Sequence, residues 1–140
     1  MRRLRRRTGP RQSGLLLPHW SNTHGERYIA KDAALACMNT TRLPRIGIDE
    51  LWERYTHHQF ALSPRGHGLD SHRTWELLFF GAIPIVKTSR LDAMYRGLPV
   101  VIVTSWQDVC TEGFLGRAWG QVKPHYPAPD EVFTLRHWIA

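Results

Sequence analysis

Three short apolar runs, each bounded by turn residues and separated by stretches of helical character, constrain this chain more than any other feature. Phe60-Ala61-Leu62-Ser63 closes at Pro64 and Gly66, Ile83 to Val86 follows Gly81, and Leu98 to Val103 follows Gly97. Such runs are too short for core helices and suit strands buried on both faces. Pro84 falls near the start of the second run, where a missing backbone donor is tolerated. Between the runs, Asp70 can cap a helix to about Phe80 that Gly81 terminates, and Ser89 can cap a shorter one through Leu91, Met94 and Tyr95. Thr104 or Ser105 opens a further helix with Trp106, Val109 and Leu115. Upstream, Arg27 to about Met38 favours a helix that Leu43-Pro44 breaks. Asp49 can cap the next one, with Leu51, Trp52 and Tyr55 on one face, ending near His57 and His58. Strands alternating with helices through short connections predict an α/β fold, a Rossmann-like parallel sheet with flanking helices.

A chain of 140 residues suits one domain, and 42% apolar with 22% charged residues is ordinary for a globular protein. The net charge of +7 is concentrated: Arg2, Arg3, Arg5, Arg6, Arg7 and Arg11 supply six positive charges before the first acid, Glu26, and the remainder carries only +1. Residues 1–24 therefore read as a basic, disordered arm, residues 25–120 as the folded domain, and residues 121–140 as an unassigned carboxyl-terminal extension. No aromatic residue interleaves with the arginines to offer a stacking platform, so a solvated tail is favoured over a nucleic-acid contact. The alternative, a small RNA-binding protein using the arm, would bind with a steep salt dependence. Cys37 and Cys110 are far apart and in no metal-like spacing. They read as buried free thiols, a disulfide being the alternative in an oxidising compartment. No apolar run approaches the roughly 20 residues a membrane span needs, so the chain as written reads as soluble.

In a parallel sheet, ligands bind beyond the carboxyl ends of the strands, which directs attention to Ser63-Pro64-Arg65-Gly66-His67-Gly68-Leu69-Asp70-Ser71-His72-Arg73-Thr74-Trp75-Glu76. Gly66 and Gly68 leave room for a phosphate near the backbone. The helix beginning at Asp70 or Ser71 points its unpaired amides at the same place. Arg65 and Arg73 can add charge-assisted hydrogen bonds to a diphosphate. Glu76 lies in a helix that is apolar almost all round, where a carboxylate needs a partner. Arg73 or His72 can supply one within the helix, and so can the two hydroxyls of a ribose. His57, His58, His67 and His72 do not have zinc-site spacing, and Ser63, His67 and Asp70 lack the Gly-x-Ser-x-Gly elbow of a hydrolase. The six tryptophans read as packing residues.

The three ordered motifs, Phe60 to Glu76, then Gly81-Ala-Ile-Pro-Ile-Val, then Leu98-Pro-Val-Val-Ile-Val, resemble the carboxyl-terminal half of exostosin-like glycosyltransferases. The likeness covers roughly Phe60 to Asp108, about a third of the chain. It implies the donor-binding half of a GT-B type fold. It also implies sugar transfer from a nucleoside diphosphate sugar, with UDP as the expected nucleotide, to a glycan or protein acceptor. By the same resemblance Arg65 meets the diphosphate and Glu76 the ribose, with Arg73 a further candidate. The donor-binding set is then Ser63, Arg65, Gly66, Gly68, Asp70, His72, Arg73 and Glu76, with no metal or other cofactor. The family pattern includes an acceptor domain and catalytic base upstream, which the 59 residues before Phe60 do not match. The expectation is a donor-binding unit, or a related nucleotide-binding module without turnover. The family role implies the Golgi or endomembrane lumen for a chain anchored upstream.

Overall fold

In the computed structural model, which describes residues 10–21, 23–37 and 39–122, five parallel strands form one sheet in the order β2-β1-β3-β4-β5. The strands are β1 (Gln12–Leu17), β2 (Thr40–Arg42), β3 (His58–Leu62), β4 (Ile83–Lys87) and β5 (Val101–Val103). Helices α1 (Gly25–Leu35), α2 (Ile48–His57), α3 (His72–Phe80) and α4 (Phe114–Val122) pack on it, with 3-10 turns at Asp92–Tyr95 and Trp106–Cys110. The expected Rossmann-like α/β fold is present. The chain steps from β1 outward to β2, then returns past β1 to β3, so right-handed crossovers put α1 on one face and α2 and α3 on the other.

The strand side chains confirm the two layers. Leu15, Leu17, Phe60, Leu62, Ile83 and Ile85 face α1, α4 and the Trp106–Cys110 turn. Leu16 and Ala61 face Tyr55 of α2 and Leu77 and Phe80 of α3. Helix α1 buries Arg27, Ala30, Ala33 and Ala34, a spacing of three and four that places them on one stripe. Its alanines let the helix lie close over β1. Helix α3 ends as expected at Gly81, which takes φ 82°. Its N–H and that of Ala82 bond back to the carbonyls of Leu78 and Leu77 at 3.1 and 2.9 Å, which closes the helix end.

Several expectations are corrected. The arm assigned to residues 1–24 contains β1, which lies between β2 and β3 with Leu15, Leu16 and Leu17 at 1%, 0% and 2% exposure. Three consecutive leucines suffice because a central parallel strand is apolar on both faces. Residues 1–9 and 123–140 lie outside the described residues, as do most of the proposed arm's arginines; α4 carries the fold on to Val122. Neither expected aspartate caps its helix: Gly47 precedes α2 with no side-chain cap bond, and Ser71 caps α3 through Oγ and the Arg73 N–H. The Ser89 helix is a single 3-10 turn, and the segment from Ser105 divides at Gly113 into a 3-10 turn and α4. Of Leu98 to Val103 only the last three residues pair with β4; Pro99 offers no donor to the ladder. Cys37 and Cys110 are not free thiols but a disulfide joining the end of α1 to the Trp106–Cys110 turn. Among the described residues, no helix is long and apolar enough to cross a membrane.

Candidate functional site

At the carboxyl ends of β3 and β4 the sheet opens into a polar pocket of about 190 Å³. Strand β3 delivers Ser63 and Arg65 to it, β4 delivers Lys87 followed by Thr88 and Ser89, α3 delivers Thr74, and α1 delivers Glu26. Tyr95 and Leu69 complete the wall. The Ser63 N–H bonds the Ile85 carbonyl at 2.9 Å and its buried Oγ pairs with Thr74 Oγ1 at 2.8 Å. The floor is thus a fixed pair of hydroxyls. Tyr95 is buried, and desolvation together with the charge of Asp70 pushes its phenol up to about 12, against a hydrogen bond with Thr74. It stays protonated at neutral pH and can donate.

The charges are placed for an anion. Lys87 Nζ and Glu26 Oε1 pair at 3.2 Å with both side chains partly exposed, an interaction worth about 0–1 kcal/mol. A phosphate can therefore recruit Lys87 at small cost. Arg65 folds over its own loop, donating to the Gly66 and His67 carbonyls at 3.4 and 3.2 Å. These are long or surface bonds to neutral acceptors, and its guanidinium has no carboxylate within ion-pair distance among the described residues.

The remaining candidates lie elsewhere. Gly66 packs inward: a Cβ there would sit 3.0 Å from Arg27 Nη2 and 3.1 Å from Thr23 Oγ1. A larger residue there would have to push those side chains back by a few tenths of an ångström. A Cβ at Gly68 would meet nothing nearer than the Asp70 carbonyl at 3.9 Å. Asp70 and His72 are exposed, and Asp70 accepts from the Ser71 N–H and from Trp75 Nε1, both at 2.9 Å. Arg73 and Glu76 turn away from the pocket wall. Arg73 donates to the His19 carbonyl at 3.1 Å and to the Tyr55 hydroxyl at 3.4 Å, and lies 5.4 Å from the centre of the Trp20 ring. Glu76 accepts from Trp52 Nε1 of α2 at 3.3 Å and makes no ion pair with Arg73. Ser63 and Arg65 are thus brought together in the pocket, while Arg73 and Glu76 hold α3 to its neighbours.

No protein-family model matches this chain, and it has no significant match among curated proteins. The pocket is therefore read from its chemistry.

Sequence reasoning did not reach Lys87, Thr88, Thr74, Tyr95 or Glu26. The signal for the first two was available: Lys87-Thr88-Ser89 is where an apolar strand turns polar at its carboxyl end. The rule that pointed to Ser63 applies equally there. Glu26 and Tyr95 come from elements remote in sequence, and only the fold brings them in.

Proposed function

We propose that this chain is the donor-binding unit of an exostosin-like glycosyltransferase, taking the diphosphate of a nucleoside diphosphate sugar in the pocket between β3 and β4. The observation that carries the proposal is the meeting of Ser63 and Arg65 with Lys87 at the carboxyl edge of a parallel sheet. At about 190 Å³ the pocket is smaller than the roughly 300–1,000 Å³ of sites that enclose a drug-sized ligand. It suits the diphosphate end of the donor, with the nucleoside, expected to be UDP, lying across the loop. Arg65 and Lys87 supply positive charge where the leaving diphosphate gains negative charge, and the Ser63–Thr74 pair and the Tyr95 phenol supply neutral donors. The sugar would pass to a glycan or protein acceptor. The Cys37–Cys110 disulfide fits a lumenal, oxidising compartment.

One observation favours a second reading, a module that binds the nucleotide without turnover. Glu26 is the carboxylate lining the pocket, and it is already engaged by Lys87 Nζ at 3.2 Å.

Calorimetric titration with UDP tests the first reading. Arg65→Ala and Lys87→Ala should each weaken binding about 10- to 100-fold, the equivalent of one charge-assisted hydrogen bond. Unchanged affinity in both folded variants would exclude the pocket. Glu76→Ala is a separate arm: the resemblance gives it a ribose and the fold gives it Trp52. Lost UDP affinity with unaltered stability supports the ribose role. Incubation with UDP-sugars and candidate acceptors then separates a transferase from a binding module.

A further inference from the structure

At the amino edge of the sheet, opposite the pocket, the chain passes from α1 into β2 through Cys37-Met38-Asn39-Thr40-Thr41-Arg42. Asn39-Thr40-Thr41 has the Asn-x-Thr form that accepts N-linked glycans. The other asparagine of the chain, Asn22, is followed by Thr23 and His24 and does not have that form. A triplet this short recurs by chance, so its setting decides whether it can be modified.

The setting is that of an acceptor. Asn39 lies in a turn, and it and Thr41 are both exposed. The Asn39 carbonyl accepts from the Leu15 N–H of β1 at 2.9 Å, and Thr40 Oγ1 between the two donates to the Ala34 carbonyl of α1 at 2.7 Å. The backbone is therefore held, while neither the Asn39 amide nor the Thr41 hydroxyl is hydrogen-bonded among the described residues. Two positions before Asn39, Cys37 is bridged to Cys110. Such bridges persist in oxidising compartments, and the endoplasmic reticulum lumen, where N-linked glycans are added, is one of them. The direction is also open. All the strands run parallel and β2 is outermost, so a glycan at its start leaves from the edge opposite the carboxyl ends of β3 and β4. There it would also shield β2, an unpaired edge strand, from pairing with another chain.

We infer that Asn39 is an N-glycosylation site. Its Nδ2 attacks the anomeric carbon of an oligosaccharide carried on a polyprenyl diphosphate, the co-substrate of a lumenal oligosaccharide transferase. A carbon–nitrogen bond forms as the carbon–oxygen bond to the diphosphate breaks. The lipid diphosphate leaves with the electron pair, and Nδ2 gives up one proton. Thr41 supplies the hydroxyl that the transferase reads beside the asparagine. The inference rests on the triplet, its exposure and the disulfide, not on the donor reading, and it stands or falls separately.

Expression of the full chain in a eukaryotic cell, led into the endoplasmic reticulum by a cleavable signal peptide, tests it. The product should carry a single glycan. Peptide N-glycosidase should collapse it to the mass of the polypeptide and convert the modified asparagine to aspartate, which mass spectrometry places at position 39. Asn39→Gln and Thr41→Ala should each abolish the glycan, Thr41→Ser should keep it, and Asn22→Gln should change nothing. The readout is mass, so it holds even for a variant that folds poorly. The glycosylated chain should keep the Cys37–Cys110 bridge and unfold at a temperature no lower than the deglycosylated one. The inference is overturned if the lumenal chain carries no glycan, if the glycan survives in Asn39→Gln or Thr41→Ala, or if its removal raises the unfolding midpoint. The last result would mean that the glycan strains the fold and that the turn does not present Asn39 freely.

Discussion

His58 opens β3 at 2% exposure, and its imidazole has room for only one protonation state. Nδ1 lies 3.0 Å from the Arg54 carbonyl, which assigns the proton to that nitrogen, and Nε2 is buried with no partner among the described residues. Charging the ring would bury an N–H without an acceptor. Burial lowers the pKa of His58, the Arg54 carbonyl raises it, and the charges of His57, Arg54 and Arg11 lower it further. A folded pKa below the ordinary value of about 6.5 means the unfolded chain takes up the proton first. Stability is therefore intact above about pH 6.5 and falls as pH drops from there toward the folded pKa, by at most about 1.4 kcal/mol per pH unit. Urea unfolding followed from about pH 7 to about pH 5 should show this slope, and His58→Asn, which keeps a donor for Arg54, should flatten it. An equal slope in the variant would place the proton uptake elsewhere. Legibility at this scale was uneven. Ser63 and Arg65 were visible because they follow an apolar run directly. Glu76 was visible as a carboxylate needing a partner, but its partner, Trp52, comes from another helix and no local spacing points to it.

Among the elements, β1 was the least legible and is the most consequential. Its leucines follow a basic stretch and stop at Pro18, so composition reads them as part of a tail. Only the sheet, in which β1 separates β2 from β3, gives three apolar residues the weight of a central strand. The stronger strands β3 and β4 and helix α3 were legible because period and breakers agree there. Arg11, counted with the tail by charge alone, ties elements together. Its Nη1 donates to the Tyr55 and His58 carbonyls at 2.9 and 3.2 Å, and its Nη2 to the Phe80 carbonyl at 2.7 Å. It thus serves the carboxyl ends of α2 and α3, where a cation is also favoured by the helix dipoles. Arg11→Ala should cost about 2–3 kcal/mol in urea unfolding, as expected for charged hydrogen bonds at partly buried carbonyls. Arg11→Lys should recover less than half, because an ammonium cannot span both helix ends. A loss under about 0.5 kcal/mol, typical of a surface change, would return Arg11 to the tail.

For the molecule as a whole, the polar pocket lies at the sheet edge and the disulfide joins α1 to the turn packed on the same face. Cys37 follows α1 and Cys110 closes the 3-10 turn packed against that helix, with Cα atoms 5.0 Å apart and 73 residues between them in sequence. That separation is within the range a disulfide needs, yet no reading of spacing alone could have paired the two residues, since the contact exists only once α1 and the turn share a face. Closing a loop of that length restricts the unfolded chain by about 4 kcal/mol in the chain-entropy account. The bridge lies at the far end of α1 from Glu26 and Arg27, so its stabilisation should be separable from ligand binding. Urea unfolding of the oxidised chain, of the reduced chain and of the Cys37→Ser/Cys110→Ser variant should give a loss of about 2–4 kcal/mol in both altered forms. UDP titration of the reduced chain, kept under conditions where it remains folded, should give an affinity within about twofold of the oxidised form, well below the tenfold that 1.4 kcal/mol represents. An unchanged unfolding midpoint on reduction would mean the cysteines are not bridged in solution. A tenfold loss of UDP affinity with the fold intact would instead make the bridge part of the site, acting through the orientation of α1 and the two side chains it presents at the sheet edge.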